Sequence, residues 1–560
     1  MNDNRYNGFI NIYKEAGWTS MDVCAKLRRI LGMKKVGHAG TLDPMAEGVL
    51  PVALGRATKD VDRVGDGTKT YEAGMLLGVE TDTEDITGKV VHTCSEDGFP
   101  SEEEIRRAVS SFVGPYEQKT PMYSARKVGG KKLYQYARAG IEVERKTRTV
   151  EILEIGILEI RPPHVRFLVT CTKGTYIRTL CRDIGEMLGC GACMESLTRT
   201  RVGDFLAGNA LKIADVESLE ANDAVDGALR IIAPTAVSIG KFDGTHMGHQ
   251  ALLKELKKVA QEDRLRTCVL ILKFGSTGVL TDAERKQKLY SMGVDYCIEL
   301  PFTEEMKNMS AEDFLQKVLI GRYHMKAIVA GDDVSFGKGK RGNAAFLHEH
   351  SEEFGYRVRL IEKVKIDFSS ENAGAVGALI ESRQKTAEKE TGPVPSSAAA
   401  QDISSTLLRE ELRKGDMLHV TRLLGNPFTI TGPVIHGRHA GTERMSFPTM
   451  NVQVPEELIL PPMGVYAVLA QIADEKGSFE NSPVLQGIAN LGTRPTVDSS
   501  GRVLLETHTF GDSYECYGRM LRVGLCFYIR PEEKFDSLEA LKASLETKDI
   551  PAVESFFSHI

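Results

Sequence analysis

The fifteen residues Gly37-His38-Ala39-Gly40-Thr41-Leu42-Asp43-Pro44-Met45-Ala46-Glu47-Gly48-Val49-Leu50-Pro51 restrict the chain more than any other stretch of that length. Three glycines and two prolines favour a tightly shaped loop over a regular element, because glycine opens the left-handed region and proline removes a backbone donor. Asp43 stands directly ahead of Pro44, which biases its backbone toward an extended conformation. A lone carboxylate held in such a loop, shortly after His38, is a candidate nucleophile or base. A solvated turn aspartate is the commoner fate of an Asp-Pro pair, so the loop alone leaves both readings open.

The rest of the chain sets limits. Its 560 residues suffice for three or four domains at roughly 150 residues each. A hydrophobic fraction of 42% and a charged fraction of 26% are those of a soluble globular protein. No apolar run approaches the ~18 residues of a membrane span, and the first twenty residues hold no signal-peptide core. Ten cysteines without regular spacing predict reduced thiols in a cytoplasmic protein. The one CxxC, Cys190 to Cys193, lacks the second pair that a zinc site wants. Net charge is −6, yet residues 119–148 carry nine Lys/Arg against Glu142 and Glu144. These cations, Arg126, Lys127, Lys131 and Lys132 among them, are interleaved with Tyr123, Tyr134 and Tyr136. That composition suits phosphate contact and base stacking, although a charge run by itself is usually a solvated face.

The glycine-rich run resembles the catalytic loop of the tRNA pseudouridine-55 synthase family. Lys69-Thr70-Tyr71, with Gly78-Val79-Glu80-Thr81-Asp82-Thr83-Glu84-Asp85-Ile86-Thr87-Gly88, resembles that family's second motif, and Cys171 to Leu180 its third. Leu197-Thr198-Arg199-Thr200-Arg201-Val202-Gly203 resembles its closing strand. The resemblance covers roughly residues 5 to 215 and implies an α+β pseudouridine synthase fold acting on the T-arm of tRNA without a cofactor. It assigns Asp43 to the sugar, as nucleophile or as initiator of a glycal route, with Arg178 orienting it and Tyr71 stacking on the base. His38 would fill the space left by the extruded uridine, and Arg126, Lys127, Lys131 and Lys132 would dock RNA. Two departures stand out. Arg126 replaces an aliphatic residue, and no C-terminal RNA-binding extension is expected between about 215 and 235.

At 231 the text changes. Ile231 to His249 reads as a strand, a glycine turn and a helix opening at His249, a layout that can aim His246 and His249 at a phosphate above a helix N-terminus. Phe242-Asp243-Gly244 ahead of these histidines, and Ile403-Ser404-Ser405-Thr406-Leu407-Leu408-Arg409 far downstream, resemble the bifunctional riboflavin kinase/FAD synthetase family over nearly all of 231–560. Phe242, Asp243, His246, His249, Ser404, Ser405, Thr406 and Arg409 are then the implied nucleotide-binding residues of a Rossmann-like α/β nucleotidyltransferase domain. Lys273-Phe274-Gly275-Ser276-Thr277 stands where that family has a Pro-His loop, which predicts slow or absent adenylylation of FMN. Gly337 to Gly342 matches GxGxxG by chance, since no βα unit of the required kind leads into it. Residues 371–400, rich in Ala, Glu, Ser and Pro, read as a flexible insertion.

Short alternating segments after Gly425 predict a small antiparallel β-barrel. Phe447-Pro448-Thr449-Met450-Asn451, with Ser446 in a usual glycine position, and Leu504 to His508 resemble the kinase motifs. They imply Mg²⁺ near Thr449 and Asn451, ATP as phosphoryl donor, and Glu506 as the base toward riboflavin. A C-terminal helix should start at Asp536 or Ser537. The expected order is therefore a synthase domain over 1–230, a nucleotidyltransferase domain over 231–400, a connecting helical segment over 401–425 and a riboflavin kinase domain over 426–560. The alternative makes the first domain an RNA-binding and folding module and the middle one a scaffold without turnover, leaving riboflavin kinase as the main activity. No membrane partner is expected.

Overall fold

The computed structural model describes residues 5–95, 98–124, 126–141, 143–273, 277–368, 400–435, 449–475, 477–493, 503–510 and 516–558. At Lys127, Val128, Lys132, Tyr134, Arg138 and Leu538 the description stops at the backbone. Two compact units emerge: Met1–Pro234 with Leu315–His324, and Thr235–Phe314 with Met325–Ile560. The Pro-His position (Phe274 to Ser276), residues 371–399 of the insertion 371–400, and Ser446 to Pro448 lie outside the described residues.

The first unit is built on a nine-stranded sheet. Its main strands are β1 (Gly8–Lys14), β2 (Glu47–Leu54), β3 (Lys69–Leu77), β4 (Gly114–Lys119), β5 (Thr147–Arg161), β6 (His164–Cys171) and β7 (Ala192–Val202). They run in the order β1-β2-β7-β3-β6-β5-β4. Period-two patterning sets the faces: Val165, Phe167 and Val169 of β6 are buried while Arg166 and Leu168 are exposed. Three helices matter for the site, α1 (Ser20–Ile30), α2 (Glu102–Ser110) and α3 (Ile177–Leu188). Capping boxes at Thr19/Asp22 and Ser101/Glu104 start the first two, and Gly189, at φ +76°, stops the third. Leu180 and Ile184 of α3 and Ile105 and Val109 of α2 pack on Met75, Phe167 and Val169 of the sheet, leaving Arg178 at the start of α3.

The Gly37–Pro51 run is not loop throughout. Val36–His38 is a short strand paired with β2, and β2 itself begins at Glu47. Gly48 permits this, for its φ is +105° and a Cβ there would stand 2.3 Å from the Arg199 carbonyl oxygen. The excursion that carries Asp43 is therefore short and anchored in strand on both sides.

The second unit opens with a parallel sheet of β8 (Thr235–Gly240), β9 (Arg266–Lys273), β10 (Tyr296–Pro301), β11 (Met325–Gly331) and β12 (Arg357–Ile361), in the order β10-β9-β8-β11-β12. Strand order reverses beside β8, and the carboxyl end of such a strand is where open α/β sheets bind ligands. The chain leaves β8 there and enters α4 (Met247–Glu262). That helix begins two residues before His249 because the His246 ring caps it, accepting from the His249 N–H at 3.4 Å. A further helix, α5 (Asp282–Ser291), follows β9.

Strands β13 (Phe428–Ile435), β14 (Met450–Gln453), β15 (Gly464–Ile472), β16 (Leu485–Thr493), β17 (Val503–Thr509) and β18 (Met520–Pro531) close a barrel in the order β13-β14-β17-β16-β15-β18. Helices α6 (Ser405–Lys414) and α7 (Met417–Leu424) precede it. Their Leu408, Leu412, Val420 and Leu424 share one core with Phe428, Ile430, Val523 and Leu525 of the barrel. A C-terminal helical segment is capped by Ser537, which accepts from the Ala540 N–H, and ends in α8 (Ile550–Ser558). All ten cysteines are unpaired. Among the described residues no helix is long and apolar enough to cross a membrane.

Candidate active sites

In the first unit Asp43 lies on the loop before β2 and Arg178 on the first turn of α3. The Arg178 guanidinium is buried, with Nη1 3.4 Å from the Asp43 carboxylate and 3.7 Å from that of Asp85. Its Nη2 donates to the Tyr123 carbonyl at 2.5 Å. One arginine thus bridges two carboxylates, its charge shared between them. Asp85 is fixed from behind: its Oδ1 accepts from the Thr87 N–H at 3.0 Å and from the Thr83 and Thr87 hydroxyls at 2.9 and 2.5 Å. Glu84 stands in the left-handed region, at φ +66°, and takes the Thr179 hydroxyl and the Arg182 guanidinium, which ties this loop to α3.

Asp43 keeps 35% of its side chain open. Burial by the surrounding protein pushes its carboxyl above the usual range, Arg178 and Lys14 pull it down, and Asp85 pushes it up again. Tyr71, buried on β3, has its phenol raised by burial and less so by the Asp43 charge, with Arg199 opposing. His38 ends the short strand beside β2, where burial and the Arg199 charge favour neutral imidazole. Beneath the loop Lys14 is fully buried. Its ammonium donates to the carbonyls of Trp18, Glu15 and Pro44 at 2.7, 3.1 and 3.3 Å, and burial draws its pKa down to about 8.

The structure thus brings Asp43, Tyr71 and Arg178 together and adds Asp85, which stands in a quoted motif without a role. Arg126 and Lys131 are exposed on a segment that includes the hairpin Lys127–Val128/Lys131–Lys132. Arg126 also donates to the Thr120 hydroxyl at 3.3 Å. The side chains of Lys127 and Lys132 lie outside the described residues.

At the carboxyl end of β8 a second group assembles. The His246 and His249 rings stack at 3.8 Å, with Phe242 4.9 Å from His249. The Ser405 hydroxyl is 3.4 Å from His246 Nε2. Burial draws the His246 pKa down to about 4 and that of His249 well below its ordinary value, so both imidazoles are neutral at pH 7. Asp243 is buried; its Oδ1 accepts from the Val279 N–H at 2.7 Å and its Oδ2 from Arg409 Nε and Nη2 at 2.9 and 2.6 Å. Arg409 therefore braces α6 against the turn. Ser404 caps α6 through the Leu407 N–H, and Thr406 is exposed on that helix. Lys288 of α5, not singled out by the sequence reading, has its Nζ 3.3 Å from the Gly244 carbonyl, and its charge reaches both imidazoles.

In the barrel, Glu506 stands in register with Asn451 of β14 on one side and Asn490 of β16 on the other. Asn451 is buried, and its Oδ1 has no hydrogen-bond partner among the described residues. Such a carbonyl oxygen suits a hard divalent cation. Thr449 is exposed just ahead of β14. Phe510 and Ile488 pack with Phe556 and Phe557 of α8 against the barrel wall, an aromatic flank that Phe510 joins directly after the strand carrying Glu506.

Four family models match the chain: the N-terminal domain of the TruB family pseudouridylate synthases over residues 28–177, the tRNA pseudouridylate synthase B C-terminal domain over 178–236, FAD synthetase over 230–372 and riboflavin kinase over 424–557. Over 214 residues the chain is 53% identical to the tRNA pseudouridine synthase B of Alkaliphilus oremlandii, covering 38% of this chain and 71% of that one. It is 48% identical over 229 residues to that of Bacillus licheniformis, covering 40% and 74%. A solved macrolide-efflux protein from Streptococcus pneumoniae superposes with a TM-score of 0.44 at 24% identity, over 57% of this chain and 94% of the other.

Proposed function

From a chain that belongs to the tRNA pseudouridine synthase B family, and that joins to it FAD synthetase and riboflavin kinase domains, we propose an enzyme of two trades. Its first unit isomerises the T-loop uridine of tRNA to pseudouridine through Asp43, and its second phosphorylates riboflavin to FMN and slowly adenylylates FMN to FAD. The observation that carries the first part is the Asp43–Arg178–Asp85 bridge. The reaction breaks the C1′–N1 bond, turns the uracil and joins C1′ to C5. The C5 proton leaves and N1 ends protonated, so nothing is oxidised or reduced. Positive character grows on the sugar, and an ionised carboxylate beside it lowers that barrier. Arg178 keeps Asp43 ionised against the burial that would protonate it. Tyr71, a buried phenol beside the carboxylate, offers a flat wall for the extruded base and a hydroxyl for its proton. An Asp43→Asn chain should bind a T-arm transcript and form no pseudouridine; substantial turnover would sink the assignment.

For the second unit, Asn451 with Thr449 would hold Mg²⁺, which gathers ATP oxygens when bound. Glu506 accepts the proton of the riboflavin 5′-hydroxyl as that oxygen takes the γ-phosphoryl group, and the aromatic flank of Phe510, Phe556 and Phe557 suits a flavin ring. In the middle site the FMN phosphate attacks the α-phosphorus of ATP and pyrophosphate leaves. Neutral His246 and His249 serve as hydrogen-bond donors there. Incubating the chain with riboflavin and MgATP and resolving riboflavin, FMN and FAD by chromatography tests both steps. Glu506→Gln should cripple FMN output, and near-normal output would remove Glu506 from its role.

A further inference from the structure

The largest fully buried side chain among the described residues belongs to Arg199, to which neither chemistry nor motif gave a task. A buried guanidinium is costly unless its donors are met. Its donors go to three carbonyls: Nε to Val49 at 2.8 Å, Nη2 to Gly40 at 3.0 Å and Nη1 to Thr41 at 3.4 Å. Those carbonyls lie on either side of the Asp43 excursion, so one planar group staples the loop shut at both feet. The sheet explains why Arg199 can do this. On β7 it pairs with Gly48 of β2 on one side and with Tyr71 of β3 on the other. A register shift follows immediately, between Arg199 and Arg201, and a bulge of that kind re-aims a side chain. The guanidinium also lies close enough to Tyr71 for its charge to oppose the rise that burial imposes on the phenol.

We propose that Arg199 is the positioning residue that holds the Asp43 loop and Tyr71 in one register for attack on the flipped uridine. The role rests on Asp43 being the reacting carboxylate. Arg199 touches neither sugar nor base; it fixes how far apart the carboxylate and the phenol stand. A misplacement of about 1 Å in such a pair costs about 10²-fold in rate. Lysine keeps the charge and loses the fork, since an ammonium cannot meet three carbonyls in one plane.

The test uses the full chain, with riboflavin phosphorylation followed in each preparation alongside the RNA measurements. Pseudouridine formation on a T-arm hairpin is followed in single turnover at saturating enzyme, and RNA affinity by filter retention. Arg199→Lys should lower the rate about 10²-fold with RNA affinity and the acid limb of the pH profile unchanged. Should that chain not fold, Gly40→Ala decides in the same terms, because a side chain is strained at a φ of +92° and the strain falls on the residue whose carbonyl Nη2 grips. A wild-type rate, or equal losses of rate and affinity, overturns the proposal. Turnover by Asp43→Asn would instead overturn the choice of carboxylate. An inactive Asp43→Asn beside a normal Arg199→Lys removes only Arg199.

Discussion

Arg178 and Asp85 pull the Asp43 carboxyl in opposite directions, so replacing each should move the acid limb of the pH–rate profile in opposite directions. Arg178→Met removes a charge 3.4 Å from Asp43. At that distance two unit charges interact by about 1 kcal/mol in water and about 5 kcal/mol at an effective dielectric near 20. Asp43 keeps 35% of its side chain open, so the low half of that range applies, and at roughly 1.4 kcal/mol per pH unit the limb should rise by about 1–2 units. Asp85→Asn removes the opposing carboxylate while keeping an oxygen for the Thr87 N–H, and the limb should fall by a fraction of a unit. The sign follows from linkage: raising the Asp43 pKa empties the ionised form at a higher pH. Single-turnover rates on a T-arm hairpin between pH 4.5 and 8, with enzyme in excess, give both limbs. Limbs that move together, or that stay in place in Arg178→Met, would refute the bridge as the source of Asp43's ionisation.

Lys14, whose pKa burial holds at about 8, should lose its hold on the Pro44 carbonyl above that pH. Pseudouridine formation should decline with an apparent pKa near 8, and Lys14→Met should abolish that limb. Over the same range folding stability should gain from this group, since between about 8 and the unfolded value the unfolded chain binds more protons; melts against pH check the sign. Gly48→Ala places a methyl 2.3 Å from the Arg199 carbonyl at φ +105°, and should cost at least about 1–3 kcal/mol, read as a lower melting temperature together with lost pseudouridine formation. Arg530 holds Asp549 through both carboxylate oxygens, at 2.8 and 2.7 Å, with Asp549 buried. Arg530→Met should cost about 3–5 kcal/mol, expose the C-terminal helices to proteases and reduce FMN output.

What was legible in the sequence was whatever chemistry writes as a short word. Asp43 before Pro44, Tyr71 in its triplet, Arg178 at a helix start, and His246 with His249 around a glycine turn can each be found without a fold. The strand and barrel patterns were legible too, because alternation is local. Partnerships across the sheet were not. Asp85 meets Arg178 only because the Thr81–Thr87 loop folds back on α3, and Arg199 reaches Gly40 only through a bulge in β7. Nothing local announces either contact. Asn490 reaches Glu506 by strand register alone, which no single strand encodes. The run around Asp43 read as all loop because its glycines suggest turns, whereas Gly48 serves a close approach of two strands.

The shared core of α6, α7 and the barrel bears on how this chain can be cut. A gene fragment ending near residue 400 keeps Asp243, His246 and His249 but discards Arg409, the counter-ion of a buried carboxylate, and Ser405. Such a fragment would carry an uncompensated buried charge at the carboxyl end of β8, and it should be recovered as insoluble protein. A fragment running through Leu424 restores Arg409 yet bares the leucines that the barrel covers. The α/β domain is therefore not a removable module. Its closing wall is α6, whose leucines are covered in turn by the barrel, so sheet, helix pair and barrel would have to be inherited as one piece of DNA.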